Sequence, residues 1–475
     1  MIVGNPPYIR IQNMVRYSAQ EVAYYKSAHS PYETAKSDNF DKYTLFIERG
    51  LELLKPHRSL GYIVPHKFLT IKAGTALRRL LARHKCLKQI VHFGVQQVFQ
   101  GRSTYTCLLI LGDDGREHFD VEHIADVSAW RYGNSGAIQR QKTDNLDEAP
   151  WIFVSPLMYE LFERWRGAYQ TQALGDIADI FAGIQTSSDK IYVIRALRET
   201  AEGVHFQDAI RGDWTIEREI LRPCFLDASF APFSVPVPDS DIIFPYKIEG
   251  GRAIPYSPDE MQRDFPQCWA YLSASREELS QRSMKPTYPE AWYRYGRSQS
   301  LTRFNGSPKL VWQVLTTEPR YAYDNENIVF TGGGNGPYYA LVPKTGNQMS
   351  LHYLQAILSH PLVELMVRVR SSVFRGGYVS HGKQFIANIP IRTLDFSISE
   401  DRMAHDEIVA LVHRLIETNT RIVTASTPHS KTPLTREYTV LLRELQSKVG
   451  RLHEVAGSDL ELLIEITTTE NHENQ

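Results

Sequence analysis

Within the first 115 residues the apolar runs alternate between the period of a strand and the period of a helix. Met1-Ile2-Val3-Gly4 reads as the end of a buried strand. Tyr43, Phe46, Ile47, Leu51 and Leu54 fall at helical spacing, with Asp41 in the first turn and Pro56 as the stop. Leu60–Val64 reads as a strand ended by Pro65, and 67–85 as a helix with Leu77, Leu80 and Leu81 on one face. Leu87–Phe93 and Thr104–Leu111 read as strands, with Val98 and Phe99 on the loop between them. Such alternation argues for a mostly parallel sheet with helices on both faces. The last two strands are joined too briefly for a crossover helix, so that pair is expected to be antiparallel.

Between the first strand and the first clear helix stands Asn5-Pro6-Pro7-Tyr8. Two prolines stop the strand and stiffen the loop. In an open α/β sheet, ligands bind outside the carboxyl ends of the strands. The chain thus holds an amide and an aromatic ring rigidly at a site-like position. This suits methylation of an exocyclic amine on a flat ring, where the nitrogen lone pair is delocalised. Two acceptors aimed at its two hydrogens free that lone pair. The Asn5 side-chain carbonyl and the Pro6 backbone carbonyl would serve, proline adding no competing donor. The Tyr8 ring would stack on the base, a contact worth roughly 1–3 kcal/mol. What remains is alignment and electrostatics, without a covalent intermediate or a metal. The same four residues also read as a plain Pro-Pro turn.

Taken with their context, these residues resemble the second half of an S-adenosylmethionine-dependent DNA adenine-N6 methyltransferase. The resemblance is to the TaqI-like group and the large Eco57I-like restriction-modification methylases. Asn5-Pro6-Pro7-Tyr8 resembles the catalytic loop, Asp41–Leu54 with Leu60–Pro65 the next helix and strand, and Val98–Cys107 the segment carrying a second stacking ring. The resemblance implies that Asn5 and Pro6 bond the target amine and that Tyr8 and Phe99 hold an extruded adenine. From the residues alone, Phe99 reads equally as a core phenylalanine. One departure is large. The family opens with strands bearing a glycine-rich cofactor loop and an acidic ribose ligand. Here the sequence opens at the catalytic strand, and Gly332–Gly336 reads as a tight turn. The expectation is a fragment, inactive alone, with an exposed apolar edge at Met1–Val3, an unknown cofactor-binding set, and a possible partner in an upstream-encoded half or a restriction subunit.

Residues 9–40 are polar and tyrosine-rich and read as a long loop with one short helix. His118–Ile124 reads as a further strand, Ser135–Pro150 as linker, and Ser155–Trp165 as a helix with Pro156 at its first position. Leu174–Lys190, Ile242–Tyr246, Trp292–Arg297 and Tyr378–Ile391 resemble the family's target-recognition domain. Arginines among aromatics make a surface for phosphates and bases, or equally a solvated face with ordinary cation–π contacts. The candidate DNA contacts are Lys190, Arg294, Arg297, Arg303, Arg375 and Lys383. Ile408, Leu411, Val412 and Leu415 form one helical stripe and Leu441, Leu442, Leu445 and Val449 another, joined by a loop over Thr424–Pro433. The pair braces the recognition domain or docks another chain. The tail from Thr467 reads as disordered.

The expected fold class is α/β: a truncated Rossmann-like methyltransferase half-domain over 1–125, a linker and short helix over 126–170, a mixed α+β recognition domain over 171–395, and C-terminal helices over 396–475. Lys+Arg 53 against Asp+Glu 54 nearly cancel, so any DNA surface is a local patch. The four cysteines lack metal or redox spacing. No run is long and apolar enough to span a membrane, and no secretory signal is evident, so the cytoplasm is the default. The leading expectation is a site-specific adenine-N6 methyltransferase of a restriction-modification or phage-defence system acting on double-stranded DNA. Two alternatives stand beside it: a DNA-binding specificity module that needs a partner chain, and a methyltransferase of protein glutamine.

Overall fold

The computed structural model describes residues 1–36, 39–94, 96, 98–99, 104–124, 126–154, 156–167, 170–282, 289–332, 337–371, 373–374, 378–455, 457–459 and 461. The architecture is mixed α/β, in two units. One comprises Met1–Glu160 with a short segment from Val369, and the other comprises Leu161–Arg368 with the remainder of the chain.

The first unit is built on a six-stranded sheet. Its strands are β1 (Ile2–Gly4), β2 (Ser59–Pro65), β3 (Leu87–His92), β4 (Thr106–Gly112), β5 (His118–His123) and β6 (Ala137–Lys142), in the order β1-β2-β4-β3-β5-β6. β1 runs parallel to β2, and β3 parallel to β5, while β4 lies antiparallel between β2 and β3. The expected antiparallel pairing of the third and fourth strands is therefore present. Four strands thus end at one rim of the sheet, and that rim carries the Asn5 loop. Leu60, Val64, Ile90, Leu109 and Leu111 are buried in the core, together with Tyr43 and Ile47 from the helix Lys42–Glu52 and Leu77, Leu80 and Leu81 from the helix Thr75–His84. β1 is an edge strand, paired only with β2, and Val3 is 71% exposed.

Three expectations change. Residues 9–40 hold two helices, α1 (Ile11–Tyr17) and α2 (Ala19–Lys26), and not one. They exist because Ile11, Met14 and Val22 share a small core with Ala35, Phe40 and Leu45. The expected helix over 67–85 begins only at Thr75, because 3-10 turns occupy His66–Leu69 and Lys72–Gly74. Buried Arg78 fastens those turns by donating to the carbonyls of Phe68 and Ile71. The stretch 135–150, read as linker, supplies β6, fully paired with β5 from Ala137 to Lys142. The expected helix near Trp165 spans Pro156–Gly167; its expected cap Ser155, the Gly333–Gly336 turn and the tail from Thr467 lie outside the described residues.

The second unit contains two four-stranded sheets. One runs Tyr321–Asp324, Lys309–Gln313, Tyr338–Pro343, Ala178–Ala182; the other runs Val329–Phe330, Leu221–Phe225, Ser240–Ile243, Val193–Ile194. The C-terminal stripes are helices Ser399–Thr424 and Pro428–Leu452. They are antiparallel, with Lys448 2.5 Å from Glu407 and Arg421 3.8 Å from Glu437. Their connection is shorter than the loop expected over Thr424–Pro433. Thr427 caps the second helix and Pro428 takes its first position, so Pro433 falls inside it. The pair is fastened to its own unit: Asn419 and Tyr438 donate to the Pro232 and Phe233 carbonyls.

Candidate active site

Asn5 follows the last residue of β1 and its side chain is exposed. Pro6 is buried, so the loop is anchored beneath an accessible amide. Tyr8 is half-buried. Its hydroxyl donates to the Ile63 carbonyl at 2.8 Å, and its ring meets Tyr43 edge-on with centroids 6.3 Å apart. Burial, followed by the nearby Cys107 thiol, raises the Tyr8 hydroxyl to about 12, so it stays a neutral donor. The ring is thereby held from two sides. Phe99 is also half-buried, and among the described residues it makes no aromatic contact.

A feature that the sequence reading missed lies along the same rim. His66 comes one residue after β2, and His92 and His123 are the last residues of β3 and β5. The parallel register pairs His92 with His123. The His66 and His92 rings stack with centroids 4.5 Å apart, and His92 and His123 lie 5.7 Å apart. Burial lowers all three: His66 to about 4, His92 well below the usual histidine range, and His123 in the same direction. The row is therefore neutral at pH 7. Beside it opens a cleft of about 500 Å³, lined by His92, His123, Trp130, Asn134 and Ser135 among others. The signal in sequence was a histidine at the close of three successive parallel strands.

In the second unit, four of the candidate DNA contacts gather near one segment, Asp179–Lys190. Arg303 lies 3.2 Å from Asp179 and over the Phe181 ring. The Lys383 ammonium donates to the Ile180 carbonyl at 2.7 Å. The Arg297 backbone donates to Gln185, and its side chain is exposed. Lys190 pairs with Glu278 at 2.8 Å. Arg294 is half-buried, and its carbonyl accepts from Arg282. Arg282 also donates to the Thr186 carbonyl, so it joins the 186 and 294 loops. Arg375 lies outside the described residues. One expectation is corrected: Trp292, Tyr293, Tyr295 and Phe304 do not form a stacking surface, because all four are buried in this unit's core. The alternation of aromatic and arginine there separates core from surface. Among the described residues no group of three or more His, Cys, Asp or Glu could hold a metal, and no helix is long and apolar enough to cross a membrane.

A stiff loop with an exposed amide at the carboxyl rim of an α/β sheet, followed in the chain by a large mixed unit, defines the class as an α/β fold with a ligand-site-like rim. Comparison carries this further. Residues 1–99 match the Eco57I restriction-modification methylase family. The chain is 32% identical over 429 residues to the Type II restriction enzyme and methyltransferase RM.Eco57I of Escherichia coli, covering 86% of this chain and 42% of that protein. It is 22% identical over 455 residues to the Type II methyltransferase M.BstVI of Geobacillus stearothermophilus, covering 89% and 74%. The fold is similar to that of the Type IIL restriction-modification enzyme MmeI, solved in complex with DNA, with a TM-score of 0.60, 11% identity, and coverage of 99% of this chain and 57% of that one. The chain is thus Eco57I-like, related to restriction-modification methylases, and spans less than half the length of the Escherichia coli enzyme.

S-adenosylmethionine is the usual cofactor of such enzymes. Its fit here is partial. A Rossmann-type grip needs a glycine-rich turn from a strand into a helix N-terminus. β1 leads into Asn5 and two prolines, β2 into His66-Lys67 and β3 into Phe93-Gly94, so none of these turns is such a cradle.

Proposed function

We infer that this chain carries the target-base side of a site-specific DNA adenine-N6 methyltransferase from a restriction-modification or phage-defence system, with double-stranded DNA as its partner. The observation that carries the reading is the exposed Asn5 amide above the buried Pro6, next to a Tyr8 ring fixed by Ile63 and Tyr43. The Asn5 and Pro6 carbonyls accept the two hydrogens of the extruded adenine N6, Tyr8 stacks on the base, and Phe99 supplies the second ring. Lys190, Arg294, Arg297, Arg303, Arg375 and Lys383 contact the duplex. S-adenosylmethionine supplies an electrophilic methyl group when bound.

The turns after β1, β2 and β3 lack the donor's cradle, so the chain alone is expected to extrude a base without methylating it. This also keeps in view the second reading, a specificity module completed by a partner chain.

Selection of bound fragments from a randomised duplex library tests both. The enriched site is remade with 2-aminopurine at each adenine in turn, and fluorescence reports extrusion. Enrichment of one sequence, with a fluorescence rise at one position that Asn5→Ala and Tyr8→Ala each reduce at least tenfold, supports the methyltransferase reading. Enrichment without extrusion leaves the module. No enriched sequence sinks both, and a methyl label transferred to a glutamine side chain replaces them with protein methylation.

A further inference from the structure

The segment Arg10–Asp41 is an excursion from the rim of the sheet. It leaves just after the Asn5–Tyr8 loop and closes on itself. Lys42 donates its backbone N–H to the Ile9 carbonyl at 2.8 Å, and Arg10 forms a β-bridge with Asp41. Within the excursion, α1 turns Ile11 and Met14 into its small core. On a helix of 3.6 residues per turn the outward direction then falls on Arg16, flanked by Gln12 and Asn13. Val15, Tyr17, Ala19, Gln20, Ala23 and Tyr24 are also exposed. Arg10, at the start of α1, is exposed as well.

The described carboxylates of this segment are each engaged, Asp41 with the Lys67 ammonium at 2.5 Å. Glu21 accepts from the Lys42 ammonium at 2.6 Å and from the Tyr25 hydroxyl, and Glu33 pairs with Arg83 at 3.0 Å. Neither Arg10 nor Arg16 has an acidic partner among the described residues. The outward side chains thus include guanidinium, amide and phenol donors, the groups that bind phosphate and sugar oxygens. Chain length limits the reach: Arg10 stands five positions after Asn5, at most about 18 Å when extended. That is the span of a few nucleotides on either side of a base held at Asn5.

We propose that the outward face of α1 and α2, centred on Arg10 and Arg16, grips the DNA backbone beside the target base. The inference rests on the DNA reading above and adds a contact surface to it. The occupant is the sugar-phosphate backbone of the duplex, chosen by charge complementarity and by continuity with the Asn5 loop. Because it touches no base edge, this face adds affinity without adding sequence preference.

The test is fluorescence anisotropy of the full chain on one enriched and one unrelated duplex, across a salt series. Each lost phosphate contact lowers the slope of log affinity against log salt by about 0.9. The double variant Arg10→Gln/Arg16→Gln is expected to weaken both duplexes by the same factor and to lower the slope by about 2, with Arg16→Lys retaining its share. Arg263→Gln, which removes a charge paired with Asp264 in the other unit, is expected to leave the slope unchanged. A wild-type slope preserved in the double variant overturns this inference alone. A wild-type chain that binds no duplex at low salt overturns the DNA reading as well. Equal far-UV circular dichroism of variant and wild type separates lost contacts from lost fold.

Discussion

At the scale of residues, the informative positions are those whose chemistry conflicts with their surroundings. Lys309 and Asp324 are fully buried and lie 2.5 Å apart, and burial lowers the Lys309 ammonium against the pull of Asp324. Asp324 also accepts the backbone N–H groups of Glu326 and Ile328. Lys309→Met leaves that carboxylate unpaired, and removal of one partner from a buried pair costs about 3–5 kcal/mol. A urea titration of the variant is expected to show that loss. Tyr8 offers a finer distinction. Tyr8→Phe keeps the ring and deletes one hydrogen bond to Ile63, so it is expected to cost about 0.5–1.5 kcal/mol in stability while leaving base extrusion within a few-fold.

At the scale of elements, close backbone approach and the histidine row decide what the rims can tolerate. Gly183 has no room for a side chain: a Cβ there would sit 2.2 Å from the Phe330 carbonyl oxygen, across the bridge between Ile184 and Thr331. Backbone does not yield as a side-chain tip does, so Gly183→Ala is expected to cost about 1–3 kcal/mol, read from the denaturation midpoint. The row of His66, His92 and His123 makes its own prediction. Each is held neutral below its unfolded value of about 6.5. The unfolded chain therefore binds more protons than the folded one in the window from about 6.5 down to about 4, the value for His66. Stability is full above that window and falls as the pH drops through it, by about 3 kcal/mol from His66 alone. His66→Phe, which cannot take a proton, is expected to flatten this dependence. Hydrogen exchange on peptides from β2, β3 and β5, compared at pH 7 and pH 5, measures it.

At the scale of the molecule, the two units divide the chemistry. The first carries the amide loop, and the second carries most of the positive candidates, five of them described. The C-terminal helices belong to the second unit's fabric: Leu411, Leu415, Leu441 and Leu445 are buried, and the end of the pair stacks His453 on Trp165 with centroids 3.7 Å apart. Leu411→Ala is expected to cost about 2–5 kcal/mol. Peptide-resolved hydrogen exchange should place the loosening in Leu161–Arg368 and the helical pair, leaving β2 and β4 protected. Loosening of β2 and β4 to the same degree would refute that division of stability.

The sequence by itself determined the local and the periodic. Alternating apolar runs specified β1 to β5 and the antiparallel insertion of β4, since a short connection admits no crossover. Two prolines after β1 specified a stiff loop, and apolar stripes specified the C-terminal helices. Long-range packing decided the rest. α1 and α2 carry weak periodicity and are helices because Ile11, Met14 and Val22 find Phe40 and Leu45. β6 is polar and is a strand because the edge of β5 offered hydrogen bonds. The aromatics at 292–304 turned inward because only the tertiary core says which side of a strand-rich segment is dry. Three histidines far apart in the chain became neighbours through sheet register, and register is a property of the assembled sheet.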